Sequence, residues 1–238
     1  MRNSAVIGLV IPALNEVNAI GNVLGEVPGW VDHIVVADNG STDGTLQVAK
    51  SLGAGTVVAT PRGYGAACLA GIAELPESDV VVFLDGDYSD YPEQMDRLVD
   101  PIVSEGFDLV IGSRRLGTRE QGSLTIQQRF GNALACWLIR LFWSVEYTDL
   151  GPFRAIRSEA LKQIDMKDKA FGWTVEMQLR AIQEKLHVRE VPVDYRVRVG
   201  VSKISGTLKG TILAGRAIIG TIIRTAYNDW RKSTERNR

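Results

Sequence analysis

From residue 5 to residue 112 the chain alternates short apolar runs with longer segments of helical periodicity. The apolar runs fall at 5–11, 33–37, 56–59, 80–84 and 109–112. Runs this short and this uniformly apolar read as strands covered on both faces, as in a parallel sheet. Between them, 17–27, 45–52, 66–74 and 92–104 read as helices. Such alternation predicts a doubly wound, Rossmann-like α/β layer, a mostly parallel sheet flanked by helices. The second half has another rhythm. A long apolar helix is expected over 125–142, a turn and strand over 149–156, and a helix over 175–184. Short strands at 187–191 and 194–197, a polar loop at 198–206 and a final helix at 208–227 follow. No Pro/Ser-rich linker divides the chain, so one α/β domain over 1–206 is expected, with an amphipathic, basic helix and tail over 207–238.

Ligands of such sheets bind beyond the carboxyl ends of the strands. The first strand is followed by Pro12-Ala13-Leu14-Asn15-Glu16, the second by Asp38-Asn39-Gly40-Ser41-Thr42-Asp43-Gly44. The second cluster has carboxylates and hydroxyls able to hold a base and a ribose. Alone it reads better as a capped turn, with Asp43 as the N-cap. The third strand leads into Arg62-Gly63-Tyr64-Gly65-Ala66-Ala67, a cation and glycines opening a helix, which favours an anion there. A dinucleotide fingerprint is not present: Cys68 stands where the third glycine belongs, and those glycines would follow the first strand.

The fourth strand ends in Asp85-Gly86-Asp87. Two carboxylates so close at the end of a buried strand are costly unless something neutralises them. Mg²⁺ or Mn²⁺ does so, because hard cations prefer carboxylate and phosphate oxygens. Asp-Gly is also common in plain turns; the apolar strand before it and the two clusters upstream favour the metal.

Composition narrows the field. The 238 residues carry a net charge of −1, which argues against broad nucleic-acid binding. From Leu208 onward seven cations face two acids, so a +5 tail sits on a −6 body. Cys68 and Cys136 are the only cysteines, both in apolar contexts, and fit buried thiols in a reduced compartment. Two histidines exclude a His-rich zinc site. The run at 5–11 is too short for a signal-peptide core, and no stretch reaches the roughly 18 to 20 apolar residues of a membrane span. A soluble or surface-bound protein is expected.

Together, PALNE, ADNGSTDG, RGYGAA, DGD and VIGSR (Val110–Arg114) resemble the family 2 glycosyltransferases of the GT-A fold, over nearly the whole chain. Asp149-Leu150-Gly151-Pro152-Phe153-Arg154, Trp173-Thr174-Val175-Glu176 and Arg198-Val199-Gly200-Val201-Ser202-Lys203 are similar to the dolichol- and polyprenyl-phosphate sugar synthases. The resemblance implies an inverting hexosyltransferase using a nucleotide sugar, such as GDP-mannose or UDP-glucose, with Mg²⁺ or Mn²⁺. It implies that Pro12, Leu14, Glu16 and Asp38 line the nucleoside pocket, with Gly63 near the donor. It places Asp85 near the donor sugar or ribose, and Asp87 on the metal. Ser89 stands where relatives often carry Gln, and would bind metal weakly or through water. Asn39 replaces a usual Asp.

On the acceptor side, Arg114, Arg129, Arg198 and Lys203 are the expected phosphate partners, since Arg binds phosphate bidentately. Arg115 and Arg196 read as solvated or salt-bridged. A phosphate acceptor, with its second pKa near about 6, needs no protein base. A hydroxyl acceptor would need one, and Asp149 is the candidate, unless it braces the following turn. On a wheel of about 100° per residue, the final helix carries an isoleucine-rich stripe, with Lys209, Arg216 and Arg224 on another side. With Trp137, Phe142 and Trp143 it could form a surface held on an anionic membrane. The expectation is therefore transfer of a hexose to a polyprenyl or dolichyl phosphate at the cytoplasmic membrane face, by a peripheral enzyme that forms oligomers or not. The alternatives are a family 2 transferase with a hydroxyl acceptor, a nucleotidyltransferase, which PALNE does not favour, and a non-catalytic nucleotide-sugar-binding subunit.

Overall fold

The computed structural model describes residues 1–200 and 208–236. One seven-stranded sheet runs in the order β3-β2-β1-β4-β6-β5-β7. Its strands are β1 (Ile7–Ala13), β2 (His33–Asp38), β3 (Gly55–Val58), β4 (Val80–Phe83), β5 (Leu109–Ser113), β6 (Arg154–Arg157) and β7 (Val188–Pro192). Six are parallel. β6 runs antiparallel to both neighbours, β4 and β5. The GT-A-type α/β architecture expected from the sequence is present.

β1 sits between β2 and β4 and is buried along its whole length. Its alternation divides it between two cores. Val10 points to one face with Val81, Phe83 and Trp173. Ile7, Leu9 and Ile11 point to the other, with Val36, Val82 and Leu98. Helices cover both faces: α1 (Ile20–Gly25), α2 (Thr45–Ser51) and α4 (Asp96–Glu105) on one side, α3 (Tyr64–Glu74), α5 (Ile126–Trp143), α6 (Ser158–Ile164) and α7 (Trp173–Gln183) on the other. α5 begins with a capping box, Thr125 and Gln128 each closing on the other's backbone amide. Both cysteines are free and buried, and burial pushes the Cys136 thiol up to about 12, so neither is poised as a nucleophile.

Three elements differ from the sequence reading. The expected strand at 194–197 is absent: Tyr195 makes only isolated bridges to Asp90 and Arg119, because this segment packs across loops rather than along a strand. α6 was not foreseen; a seven-residue helix directly after a strand shows too few turns to reveal its period. The final helix, α8 (Leu208–Arg236), extends beyond 227 through a polar stretch supported by an Arg231–Glu235 pair. The isoleucine stripe of α8 is split. Ile222 is fully buried and Ile218 and Ile219 pack against the core, whereas Leu213, Ile223, Tyr227 and Trp230 are exposed. Among the described residues no helix is long and apolar enough to cross a membrane.

Candidate functional site

The carboxyl ends of β1, β2 and β4 lie side by side, and each delivers one of the expected clusters to the same edge of the sheet. Asp38 is buried and turns back on its own loop, accepting from the amides of Gly40 and Ser41. Asn15 accepts from the Thr42 amide, and the Glu16 amide donates to the Thr45 hydroxyl, so the first two clusters form one bonded unit. Pro12 and Glu16 are buried there and Leu14 is half-buried. Asp43 accepts from the amide and hydroxyl of Thr45, but Gly44, in the left-handed region, is the N-cap of α2. Asp43 therefore stands one place upstream of the capping position expected for it and braces the turn.

The glycines opening α3 meet a different need from the anion expected there. The amides of Gly65 and Ala66 donate to the carbonyls of Ala170 and Lys169, and Gly63 donates to Asn39. A Cβ on Gly63 would lie 2.0 Å from the Lys169 carbonyl oxygen, and one on Gly65 would lie 2.1 Å from that of Asp168. The chain itself caps this helix end, and the glycines admit it. Tyr64, between them, reaches into the site instead: its hydroxyl donates to Asp85 Oδ1 at 2.9 Å.

Asp85 and Asp87 stand at the end of β4. Burial, and then the charge of Asp87, push the Asp85 carboxyl up to about 6. Asp87 is buried, and its Oδ1 accepts from both the amide and the hydroxyl of Ser89, at 3.0 and 2.5 Å. Its Oδ2 is paired with Arg198, and its carbonyl accepts from the Val199 amide. Asp90, one residue beyond Ser89, was not singled out in the sequence. It is buried, and neither carboxylate oxygen has a hydrogen-bond partner. Burial and the charge of Asp85 raise its carboxyl well above the ordinary value.

This acid surplus suits a divalent cation. Among the described residues no three His, Cys, Asp or Glu side chains converge into a complete shell. That is compatible with Mg²⁺ or Mn²⁺ at phosphate sites, which take one or two carboxylates and complete their shell with phosphate oxygens and water.

Arg196 holds the loop after β4 in place. Its guanidinium pairs with Glu26 at 2.6 Å and donates to the carbonyls of Tyr88 and Asp90. It stacks over the rings of Tyr88 and Tyr91, 3.4 and 4.2 Å from their centroids. The sequence reading of Arg196 as salt-bridged holds; the aromatic sandwich was not legible.

Arg114 and Asp149 form a bidentate pair. Asp149 accepts from the Arg114 amide at 2.8 Å and from its Nε and Nη2 at 2.7 Å each. Burial alone would raise this carboxyl, but Arg114 outweighs it and holds it below the ordinary value. The pair lines a cavity of about 650 Å³ between α5 and α8, with Arg115, Arg119, Arg129 and Ile218 around it. Arg154 is fully buried, bonded to the carbonyls of Gly151 and Thr174. Burial lowers its guanidinium to about 10. Lys203 lies outside the described residues.

Two carboxylates closing a parallel strand, beside the bonded unit of the first two strand-end clusters, are what the sequence motifs predicted, and comparison with known proteins decides the family. The profile of "Glycosyl transferase family 2" matches residues 9–165. The chain belongs to this family. An uncharacterized glycosyltransferase of Mycobacterium tuberculosis is 34% identical over 207 residues, 87% of this chain and 93% of that one. A dolichyl-phosphate hexose transferase of Haloferax volcanii is 30% identical over 216 residues, 90% of this chain and 92% of its own. Among solved structures, glucosyl-3-phosphoglycerate synthase of M. tuberculosis, crystallised with Mn²⁺, UDP and glucosyl-3-phosphoglycerate, superimposes with a TM-score of 0.75 at 25% identity, covering 94% of this chain and 80% of that one. The protein is therefore a glycosyltransferase.

Proposed function

We propose that this glycosyltransferase moves a hexose from a nucleotide-diphosphate sugar to a polyprenyl or dolichyl phosphate, working peripherally on the cytoplasmic face of a membrane. The observation that carries the reading is the arginine-rimmed cavity. It shares Arg114 and Asp149 with the catalytic edge and lies under a helix whose outer face is apolar. On α5, Ile126, Phe130, Trp137 and Leu141 are all exposed, and their spacing keeps them within about 60° of one another. On α8, Leu213, Ile223, Tyr227 and Trp230 are exposed as well, and so are Arg216 and Arg224. A polyprenyl phosphate has this form: a lipid tail and a dianionic head.

In this reading Pro12, Leu14, Glu16 and Asp38 line the nucleoside side, and Gly63 keeps the adjoining loop close. Asp87 and Asp85 hold Mg²⁺ or Mn²⁺ jointly with the donor diphosphate, and the bound cation neutralises charge on the departing nucleotide. Ser89 orients Asp87 through the 2.5 Å hydrogen bond. Arg129, Arg198 and Lys203 meet the acceptor phosphate. Arg114 lines the same cavity while its Nε and Nη2 stay on Asp149. The acceptor is already ionised near pH 7, so positioning and desolvation suffice and no base is needed. Asp149 then serves as the brace of Arg114.

The test is turnover with GDP-mannose and UDP-glucose, each with Mn²⁺ and with Mn²⁺ removed, offered undecaprenyl phosphate, 3-phosphoglycerate or the free prenol. Transfer to the prenyl phosphate alone is expected. Transfer to 3-phosphoglycerate alone would move the acceptor class to small phosphates, and transfer to the prenol would return Asp149 to the role of base.

A further inference from the structure

Asp87 is the expected metal ligand, yet its outer oxygen is already matched. Oδ1 is taken by Ser89 and Oδ2 by the Arg198 guanidinium. Among the described residues Arg198 is the one cation paired with either carboxylate of the Asp85-Gly86-Asp87 turn. The pair is largely withdrawn from water: the side chains of Asp87 and Arg198 are 6% and 27% exposed. We propose that Arg198 is the resident counter-cation of Asp87 in the substrate-free enzyme, holding the place that the divalent ion takes when the donor loads. The inference rests on the reading of Asp87 as a metal ligand.

Three features support an exchange rather than a permanent ion pair. First, a divalent cation and a guanidinium on the same Oδ2 would sit a few ångströms apart in a site largely withdrawn from water, where like charges repel most strongly. Second, a guanidinium cannot give up its proton, so its charge is relieved only by moving. Third, the backbone of its segment is pinned while the side chain is long. The Val199 amide donates to the Asp87 carbonyl at 3.0 Å, and the Arg196 amide to the Ser89 carbonyl at 2.9 Å. A displaced Arg198 guanidinium therefore stays within one side-chain length of Asp87, where the donor diphosphate and the acceptor phosphate would meet. The contact at Asp87 protects a buried carboxylate before loading, and its loss delivers a phosphate-binding group at the moment phosphates arrive. Acceptor engagement by Arg198 then follows donor binding rather than preceding it.

The experiment is nucleotide-free Mn²⁺ titration of the full chain, followed by electron paramagnetic resonance of the free ion. It compares the wild type with Arg198→Ala, Arg198→Gln, Arg198→Lys and Asp87→Asn. Removing the competing cation should tighten Mn²⁺ binding about tenfold in Arg198→Ala and Arg198→Gln, within the range that uncovering one half-desolvated charge produces. Arg198→Lys should stay near the wild type, and Asp87→Asn should lose the site. In turnover assays Arg198→Ala should be impaired despite its tighter metal. If Arg198→Ala and Arg198→Gln bind Mn²⁺ no more tightly than the wild type, or not at all, while Asp87→Asn loses the site, the exchange is wrong and the metal assignment stands. If Asp87→Asn keeps wild-type affinity, the metal assignment fails and takes the exchange with it.

Discussion

Replacing Arg114 by Gln should destabilise the protein more than replacing its partner. Asp149 is 2% exposed and Arg114 13%, and the guanidinium supplies two of the three hydrogen bonds on the carboxylate. Arg114→Gln leaves a buried carboxylate with one backbone amide. Orphaning one member of a buried pair costs about 3 to 5 kcal/mol. Asp149→Asn keeps the shape and an acceptor oxygen for the guanidinium, which at 13% exposure also reaches water, so it costs less, about 1 to 3 kcal/mol. With a urea slope of about 3 kcal/mol/M, the Arg114→Gln midpoint should fall by roughly 1 to 1.7 M. The double variant should lose less than the sum, because no charge is then stranded. The sign with pH follows from the lowered Asp149 carboxyl. The contribution of the pair is complete above the ordinary value of 3.8 and is lost as pH falls through the lower folded-state value, so the gap between wild type and Arg114→Gln should close in acid. Urea unfolding followed by circular dichroism measures all of this. A midpoint for Arg114→Gln within about 0.3 M of the wild type, or additive losses in the double variant, would refute the account of the pair as a buried brace.

Asp87→Ala should abolish turnover and the Mn²⁺-dependent part of nucleotide binding; calorimetry with nucleoside diphosphates, with and without Mn²⁺, checks it, and near-normal turnover would remove Asp87 from the metal. Arg196→Met should keep the fold but release the Tyr88–Tyr91 sandwich, costing about 1 to 3 kcal/mol and raising the KM for the donor more than it lowers kcat; an unchanged KM with a lost kcat would place Arg196 on the reacting groups instead. Trp137→Ser with Leu141→Ser on α5, and Tyr227→Ser with Trp230→Ser on α8, should abolish sedimentation with anionic liposomes while leaving the unfolding midpoint nearly unmoved, since all four side chains are exposed. If neither pair changes liposome binding, the outer faces of α5 and α8 do not meet lipid.

The donor edge was legible because its signals are local. Asp85 and Asp87 stand directly behind five consecutive buried apolar residues, 80–84, and that register, together with the two strand-end clusters upstream, was enough to find them. What escaped depends on contacts between distant segments. Gly63 and Gly65 read as an anion cradle because Gly-rich helix starts often are one; that the 168–170 backbone fills the space could not be seen a hundred residues upstream. Tyr64 gave no sign of its hydrogen bond to Asp85, and Asp90 was not singled out at all. The wheel of α8 found the apolar stripe but could not divide it. Ile222 and Ile223 are neighbours in sequence, and only the position of α5 and α7 makes the first core and the second surface.

The reversed strand explains how the second half of the chain reaches a site that the first half defines. Ligands gather at the carboxyl ends of parallel strands, and a reader applying that rule would look after each strand, not before it. The segment 149–153 precedes β6. Because β6 runs antiparallel between β4 and β5, its amino end lies at their carboxyl ends: Arg154 is in register with Phe83 on one side and Ile111 on the other. The turn entering β6 therefore opens onto the same edge as Asp85 and Ser113. Glu190 accepts from the amides of Thr148 and Asp149, and Gln178 donates to the Asp149 carbonyl, so the turn is fixed from two further elements. Asp149 can then meet Arg114, which β5 delivers from the other side. A parallel strand in that place would carry the Asp149 turn to the far edge of the sheet and leave Arg114 without its partner. The one antiparallel strand is what joins the arginine-rimmed cavity to the carboxylates of β4.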